Sequence, residues 1–364
     1  MTTAFGPIDL AGLRLANRIA MAPMTRNRAY GAGLCPTPAM AAYYRQRATA
    51  GLIITEAIQP SAGSQGYLNT PGLHTPAQIQ GWRVVTSAVH GAGGIIFAQL
   101  MHAGRVSHPR TLPDGLVPVG PSAVRPSGQV FTVGGRRDFV TPVEMTEELI
   151  LAAVSDFADA AANAMEAGFD GVEVHGAKGY LVHQFLSSNA NRRTDGWGGS
   201  TQGRIRFAAE VVRAVAARIG ASRTGLRISP GNTVNDIAED NVRETYPALV
   251  DAINLLGLAY LHIAEDRDRD LTLELRRRFR GPLILNPFTG ERPVGPAELS
   301  LIEADAADIL AFGRLFAANP DLPARLAAGG PFNTPDPATF YGGEEKGYTD
   351  YPALGSTLPS RMVV

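Results

Sequence analysis

The chain has 364 residues, 45% of them hydrophobic, a formal net charge of −1 and one cysteine, Cys35. No basic block or basic-aromatic run offers a track for a phosphate backbone, a single thiol rules out an internal disulfide or a spaced metal motif, and no stretch approaches the roughly 18 apolar residues of a membrane span. What remains is a chain able to bury a large core, expected to be cytoplasmic, metal-free and directed at a small molecule rather than at nucleic acid or membrane.

At the N-terminus, Ile8-Asp9-Leu10 and Leu13-Arg14-Leu15 flank Ala11-Gly12 and predict a hairpin that plugs the bottom of the fold. Short apolar runs then alternate with helical patterns, the signature of parallel βα units. The runs are Ile19–Ala22, Leu52–Thr55, Ile95–Gln99, Gly171–Val174, Gly225–Ile228, Ala259–Ile263, Leu283–Leu285 and Asp308–Ala311. Most are continuously apolar, as strands buried on both faces are, and eight of them predict an α/β fold of the closed (β/α)8 TIM-barrel type. After the third run, residues 105–145 are rich in Pro and Gly and hold Val130–Val133 before Gly134-Gly135. They predict a hairpin-containing excursion over the barrel's C-terminal face. Thr146 caps a helix whose apolar positions Ile150, Ala153, Val154, Phe157, Ala161 and Ala164 share one face, ending near Gly168. No linker interrupts the composition, so residues 1–364 read as a single domain with 331–364 as a packed C-terminal tail.

In a closed barrel the chemistry sits at the C-terminal strand ends. Pro23, Met24, Thr25 and Arg26 follow the first run, and Glu56 and Ala57 follow the second. Gln99 ends the third, with His102 beyond; His175-Gly176-Ala177-Lys178-Gly179-Tyr180 follows the fourth; Arg227 lies at the end of the fifth; Phe312-Gly313-Arg314 leaves the eighth. The Gly-Arg pair opens a short helix through Leu315 to Ala318 and offers N–H donors and a guanidinium to a phosphate. In a one-turn helical segment, His175 and Lys178 at i and i+3 would reach one oxygen together, with Tyr180 projecting separately. Plainer roles suit other residues: His102 as structural, Glu56 as an orienting group, Cys35 as inert, Trp82 and Trp197 as packing, and Arg276-Arg277-Arg278 as a solvated helix face.

In order along the chain stand Ala22-Pro23-Met24-Thr25-Arg26, Thr55-Glu56-Ala57, Gly66-Tyr67, Gln99 to Arg105, His175 to Leu186, Arg192-Arg193-Thr194-Asp195 with Gly198-Gly199, Phe312-Gly313-Arg314 with Asn319 to Leu322, and Tyr348 to Pro352. With these segments the chain resembles the Old Yellow Enzyme family of FMN-dependent NAD(P)H ene-reductases over nearly its whole length. The resemblance implies non-covalent FMN, with Pro23, Met24, Thr25, Ala57, Gln99, His175 and Arg227 about the isoalloxazine and Gly313 and Arg314 on the phosphate. Gln99 can give and accept hydrogen bonds at the pyrimidine rim, Thr25 can donate near N5, and Arg227 can place positive charge by N1 and raise the reduction potential. The implied cycle is ping-pong: NADPH or NADH reduces the flavin and leaves, and an electron-poor alkene takes its place. Substrates of this class are α,β-unsaturated carbonyls, nitroalkenes and maleimides. His175 and Lys178 would hold the substrate oxygen and Tyr180 would protonate the α-carbon opposite the hydride. Tyr67 and Tyr348 match pocket-wall tyrosines, and Met101 stands where many bacterial relatives carry tryptophan, opening that side of the pocket.

Lys178 departs from the family, whose second gripping residue is normally asparagine or histidine. An ammonium in a water-poor site stabilises developing negative charge more strongly than an amide does. Its four-carbon stem can equally carry the charge to solvent or a carboxylate, leaving His175 to act alone in a narrower pocket. Both roles stay open at this point. So do a specialised flavin-dependent desaturase or isomerase, a non-catalytic flavin carrier and, in another class, a flavin-free aldolase-type barrel with Lys178 as Schiff-base nucleophile. Monomer and homodimer are both compatible with the sequence, and Arg136 and Arg137 on the excursion are candidates to meet a nicotinamide 2′-phosphate.

Overall fold

A computed structural model describes residues 3–355; residues 1–2 and 356–364, which include the end of the expected tail, lie outside the described residues. Eight parallel strands close into a barrel at Ile19–Met21, Leu52–Ile58, Ile96–Leu100, Gly171–Gly176, Thr224–Ile228, Tyr260–Ala264, Leu283–Asn286 and Ile309–Phe312. Each expected run lies on one of them, and the eighth pairs with the first through Ala311 and Ala20 to complete the ring. The strands are almost wholly buried because helices cover their outer face and side chains fill the inside.

The N-terminal hairpin forms as expected, Ile8–Leu10 pairing with Leu13–Leu15. Its Leu10 and Leu15 pack with Ala20, Leu52, Ile54, Phe97, Tyr260, Ile284 and Ile309 in one buried cluster. That apolar plug closes one end of the barrel, so polar chemistry is confined to the other. The helix Glu147–Glu166 starts where Thr146 accepts a hydrogen bond from the Leu149 amide, and it buries Ile150, Ala153, Phe157, Ala161 and Ala164. Among the described residues no helix is long and apolar enough to cross a membrane.

The second barrel strand runs three residues beyond its apolar run, so Glu56 and Ala57 lie within it rather than after it. Its register against the third strand shifts between Ile54 and Ala57, an irregularity that re-aims the strand's end toward the mouth. In the excursion, Gln129–Thr132 pairs with Gly135–Asp138 as a hairpin, and a two-residue ladder between Val119–Gly120 and Val143–Glu144 ties its base. Val106, Val130 and Phe139 cluster beneath the hairpin, with Tyr67 and Tyr180 packed against them. The tail is clamped over the mouth by two buried arginines: Arg26 donates to the carbonyls of Phe340 (2.9 Å) and Gly347 (2.8 Å), and Arg28 to that of Glu344 (3.2 Å).

Candidate active site

Strand register brings the candidate residues together. Ala57 pairs with Gln99, Gln99 with Glu173, and His175 with Arg227, so neighbouring strands present their ends in common rows. A cavity of about 670 Å³ opens above those rows at the barrel's C-terminal end. Pro23, Met24, Thr25, Ala57, Gln99, His175, Arg227, Gly313 and Arg314 all border it, together with Met101, Lys178 and Tyr180.

The polar groups at its floor fit a flavin. Arg227 is 6% exposed, its Nε has no hydrogen-bond partner, and one amine makes a long 3.4 Å contact with Asn286. A buried guanidinium left incomplete is costly, and carbonyl and nitrogen acceptors of a pyrimidine rim would complete it. Gln99 donates its amide to Glu173 at 2.7 Å, and Glu173 also pairs with His262 at 2.8 Å. Burial pushes the Glu173 carboxyl up, but His262, Arg227 and Gln99 outweigh it and hold it below its ordinary value, so a carboxylate fixes Gln99 and balances Arg227. At the far side, the exposed Arg314 guanidinium makes no hydrogen bond or ion pair to protein among the described residues. It stands at the exit of the eighth strand and borders the cavity together with residues of the neighbouring segment Asn286 to Val294, where a phosphate can be held. That segment went unremarked in the sequence, since Asn286-Pro287-Phe288-Thr289-Gly290 reads as an ordinary turn.

The substrate corner corrects one expectation. His175 is in the fourth strand, and Lys178 and Gly179 have φ of +53° and +82°, so they form a left-handed turn rather than a helical one. The i, i+3 geometry therefore does not apply. Every backbone group of the turn is tied down. Lys178 N donates to Ser229 Oγ (2.9 Å) and Gly179 N to His183 Nδ1 (3.0 Å). Lys178 O accepts from Asn235 Nδ2 (2.8 Å) and Gly179 O from Gln184 Nε2 (2.8 Å). Glycine is required at 179, where a Cβ would lie 2.6 Å from that of Asn235. Position 178 suits asparagine, which tolerates the left-handed region; lysine is held there by the surrounding bonds.

Protonation states follow from contacts. His175 Nδ1 accepts from Ala177 N at 3.2 Å, which leaves the proton on Nε2, and burial followed by Arg227 pushes its pKa well below the ordinary value, so the ring is neutral. Burial first, then Arg227, lowers Lys178 to about 8 against the pull of Asp266. Among the described residues its ammonium has no hydrogen bond or ion pair. Tyr180 Oη lies 3.0 Å from Tyr67 Oη, and burial followed by Tyr67 raises its pKa well above normal, so it stays a phenol.

A second cavity of about 820 Å³ shares Pro23, Met24, Thr25, Tyr180, Arg314 and Tyr341 with the first and continues under the excursion hairpin to Tyr67, Phe131 and Arg136; Arg137 does not border it. Tyr348, expected to wall the substrate pocket, borders neither cavity. It is fully buried, stacked on Tyr43 at 4.1 Å with the Arg28 guanidinium 4.1 Å from its ring centroid. The tail tyrosine at both cavities is instead Tyr341, 71% exposed, which no sequence feature distinguished from its neighbours. Glu56 is buried against Tyr44 away from both cavities, its pKa pushed up to about 7 by burial. His102 accepts from Gly104 N and is lowered to about 4 by burial, in keeping with a structural role. Trp82 and Trp197 pack, on Phe169 and under Arg206 respectively.

Known proteins resemble this chain in sequence and fold. The family described as NADH:flavin oxidoreductase / NADH oxidase matches residues 3–333. The Leishmania infantum protein named probable flavin mononucleotide-dependent alkene reductase is 41% identical over 357 residues, covering 96% of each chain. A chanoclavine-I aldehyde reductase of Penicillium roqueforti is 43% identical over 367 residues, again covering 96% of each. Among solved structures, morphinone reductase in complex with tetrahydroNAD superposes with a TM-score of 0.93 at 42% identity, covering 98% of this chain and all of the other.

Proposed function

The chain belongs to the NADH:flavin oxidoreductase / NADH oxidase family, the Old Yellow Enzymes, and on that premise we propose that the joined cavities at its barrel mouth are the ene-reductase site, with His175, Lys178 and Tyr180 acting on the substrate. The enzyme is an FMN-dependent oxidoreductase that reduces activated C=C bonds with NAD(P)H, which sets aside the flavin-free aldolase and the inert carrier. When bound there, FMN would supply the hydride chemistry that links NAD(P)H to the β-carbon of the alkene. Pro23, Met24, Thr25, Ala57, Gln99, His175 and Arg227 would hold the flavin ring and Gly313 and Arg314 its phosphate.

His175 donates its Nε2 proton to the substrate's carbonyl or nitro oxygen, and the Lys178 ammonium donates to the same oxygen where the charge of an enolate or nitronate develops. A preorganised donor of this kind typically contributes ~3–4 kcal/mol to the transition state. Tyr180 then gives its phenolic proton to the α-carbon. The acid is weak, but the carbanion it meets is strongly basic, and Tyr67 can donate to the phenolate that remains. Phe131 from the excursion borders the outer cavity and Tyr341 from the tail borders both, so excursion and tail add walls to the barrel's site. Arg136 is placed to attract the phosphates of a nicotinamide cofactor entering the outer cavity.

The observation that carries this reading is the convergence of the nine flavin candidates on one cavity with an incompletely paired Arg227 at its floor. Anaerobic addition of NADPH and of NADH to the FMN-loaded protein tests it. The flavin should bleach and then recolour with cyclohexenone, a maleimide or a nitroalkene; bleaching without recolouring by any of them would reject the substrate class.

A further inference from the structure

We propose that Lys178 is a covalent catalyst for α,β-unsaturated aldehydes, condensing with the aldehyde carbonyl so that hydride reaches an iminium ion instead of the free enal. The proposal rests on the ene-reductase reading and extends it to an activity that a hydrogen-bonding residue at position 178 could not provide.

The geometry favours an amine that reacts over one that only pairs. Lys178 borders the same cavity as His175 and Tyr180, and among the described residues no carboxylate lies within ion-pair distance of its Nζ. Of the charged groups on the surrounding elements, Arg227 on the fifth strand opposes an ammonium, and Asp266 beyond the sixth strand partly offsets it. Glu265, next to Asp266, is already bound by Arg269. His175 and Tyr180, on the same segment as Lys178, are neutral. With a pKa of about 8 the side chain is a free amine in a substantial fraction of molecules at mildly alkaline pH. The backbone on both sides is fixed by the bonds to Ser229, Asn235, His183 and Gln184, so the only mobile part is the flexible stem that carries the nucleophile. A left-handed backbone accommodates asparagine more readily than lysine, so a residue needed solely as a neutral donor would be better served by the amide.

The step balances without any added reagent. The Nζ lone pair of the free amine adds to the aldehyde carbon, the carbonyl oxygen, hydrogen-bonded by neutral His175, takes one proton from the nitrogen and a second from solvent water, and it leaves as water. The conjugated iminium carries the single positive charge of that solvent proton, equal to the one the ammonium released on becoming the free amine. The hydride of the NAD(P)H-dependent reaction adds to the β-carbon, the displaced electron pair moves through the α-carbon to form an enamine, and Tyr180 protonates that α-carbon. Water then adds to the regenerated iminium, releasing the saturated aldehyde and the free amine. Maleimides and nitroalkenes offer no aldehyde to condense with, so they pass only through the hydrogen-bonded route.

The test is reductive trapping on the FMN-loaded enzyme. Cinnamaldehyde and cyanoborohydride are added without nicotinamide, and the protein is mapped by peptide mass. The expected product is a Lys178 peptide bearing the enal skeleton without its oxygen. Lys178→Arg keeps the cation but cannot condense, so the adduct should vanish and the ratio of cinnamaldehyde to N-methylmaleimide turnover should fall roughly tenfold or more. In the unaltered enzyme that ratio should rise with pH and level off above about 8, where the amine is free, and in Lys178→Arg it should be flat. Absence of the trapped adduct would overturn the proposal, as would a conjugate adduct that retains the aldehyde oxygen, at Lys178 or Cys35, or an unchanged ratio in Lys178→Arg. Any of these with nitroalkene reduction intact sinks this proposal alone; loss of nitroalkene reduction in the unaltered enzyme sinks the ene-reductase reading beneath it.

Discussion

Replacing Lys178 by asparagine should make the flavin-free protein more stable at neutral pH, although it removes a residue of the active site. The native fold lowers the lysine from 10.5 to about 8. At about 1.4 kcal/mol per pKa unit this corresponds to roughly 3 kcal/mol against the charged form, reduced to roughly 1–3 kcal/mol by solvent at the half-buried side chain's outer end. Because the native value lies below the unfolded one, the unfolded chain binds more protons between about 8 and 10.5. The cost is therefore complete below pH 8 and relieved as pH rises through that window. Asparagine carries no charge and suits the φ of +53°, which adds a few tenths to ~1 kcal/mol. Urea unfolding of both proteins should show Lys178→Asn more stable by roughly 1–3 kcal/mol at about pH 7, with the gap narrowing toward pH 10. Equal stability at pH 7, or a gap that does not change with pH, would refute the reasoning.

Arg314→Ala should weaken FMN binding by roughly 10–100-fold, the loss of one charge-assisted contact worth ~1.5–3 kcal/mol, read by flavin fluorescence quenching; a change below about threefold would remove its phosphate role. Tyr180→Phe should leave reduction of the flavin by NAD(P)H nearly intact while slowing reoxidation by cyclohexenone by roughly 10²–10⁴-fold in stopped flow. Equal losses in both half-reactions would point to a structural defect instead. Gly179→Ala forces a Cβ to within 2.6 Å of Asn235 at φ +82° and should cost roughly 1–3 kcal/mol, seen as a lower melting temperature; an unchanged melting temperature would show the turn to be softer than its four hydrogen bonds imply.

The barrel was legible because parallel strands buried on both faces write themselves as unbroken apolar runs, and strand ends marked the candidate positions, while their flavin roles, apart from the phosphate site at Gly313 and Arg314, rested on the family resemblance. The second strand's apolar run stops at Thr55 because Glu56 is charged, yet Glu56 is fully buried, held by Tyr44 from a helix that no local pattern links to it. The left-handed turn was hidden by its lysine, a residue that does not advertise that backbone; only Gly179 hinted at it. Tyr341 and Tyr348 could not be ranked from the chain alone, because their exposure is decided by Arg26 and Arg28, more than 300 positions away. Local pattern reached the scaffold, while long-range clamps decided which tail side chain faces the site.

Titration of flavin-free protein with FMN, followed by fluorescence quenching, tests most directly whether the mouth cavity is the cofactor site. Saturation at one FMN per chain is expected, with affinity collapsing when Arg227 and Arg314 are both replaced by alanine. Tight binding that survives the double replacement would place the flavin elsewhere and contradict the assignment.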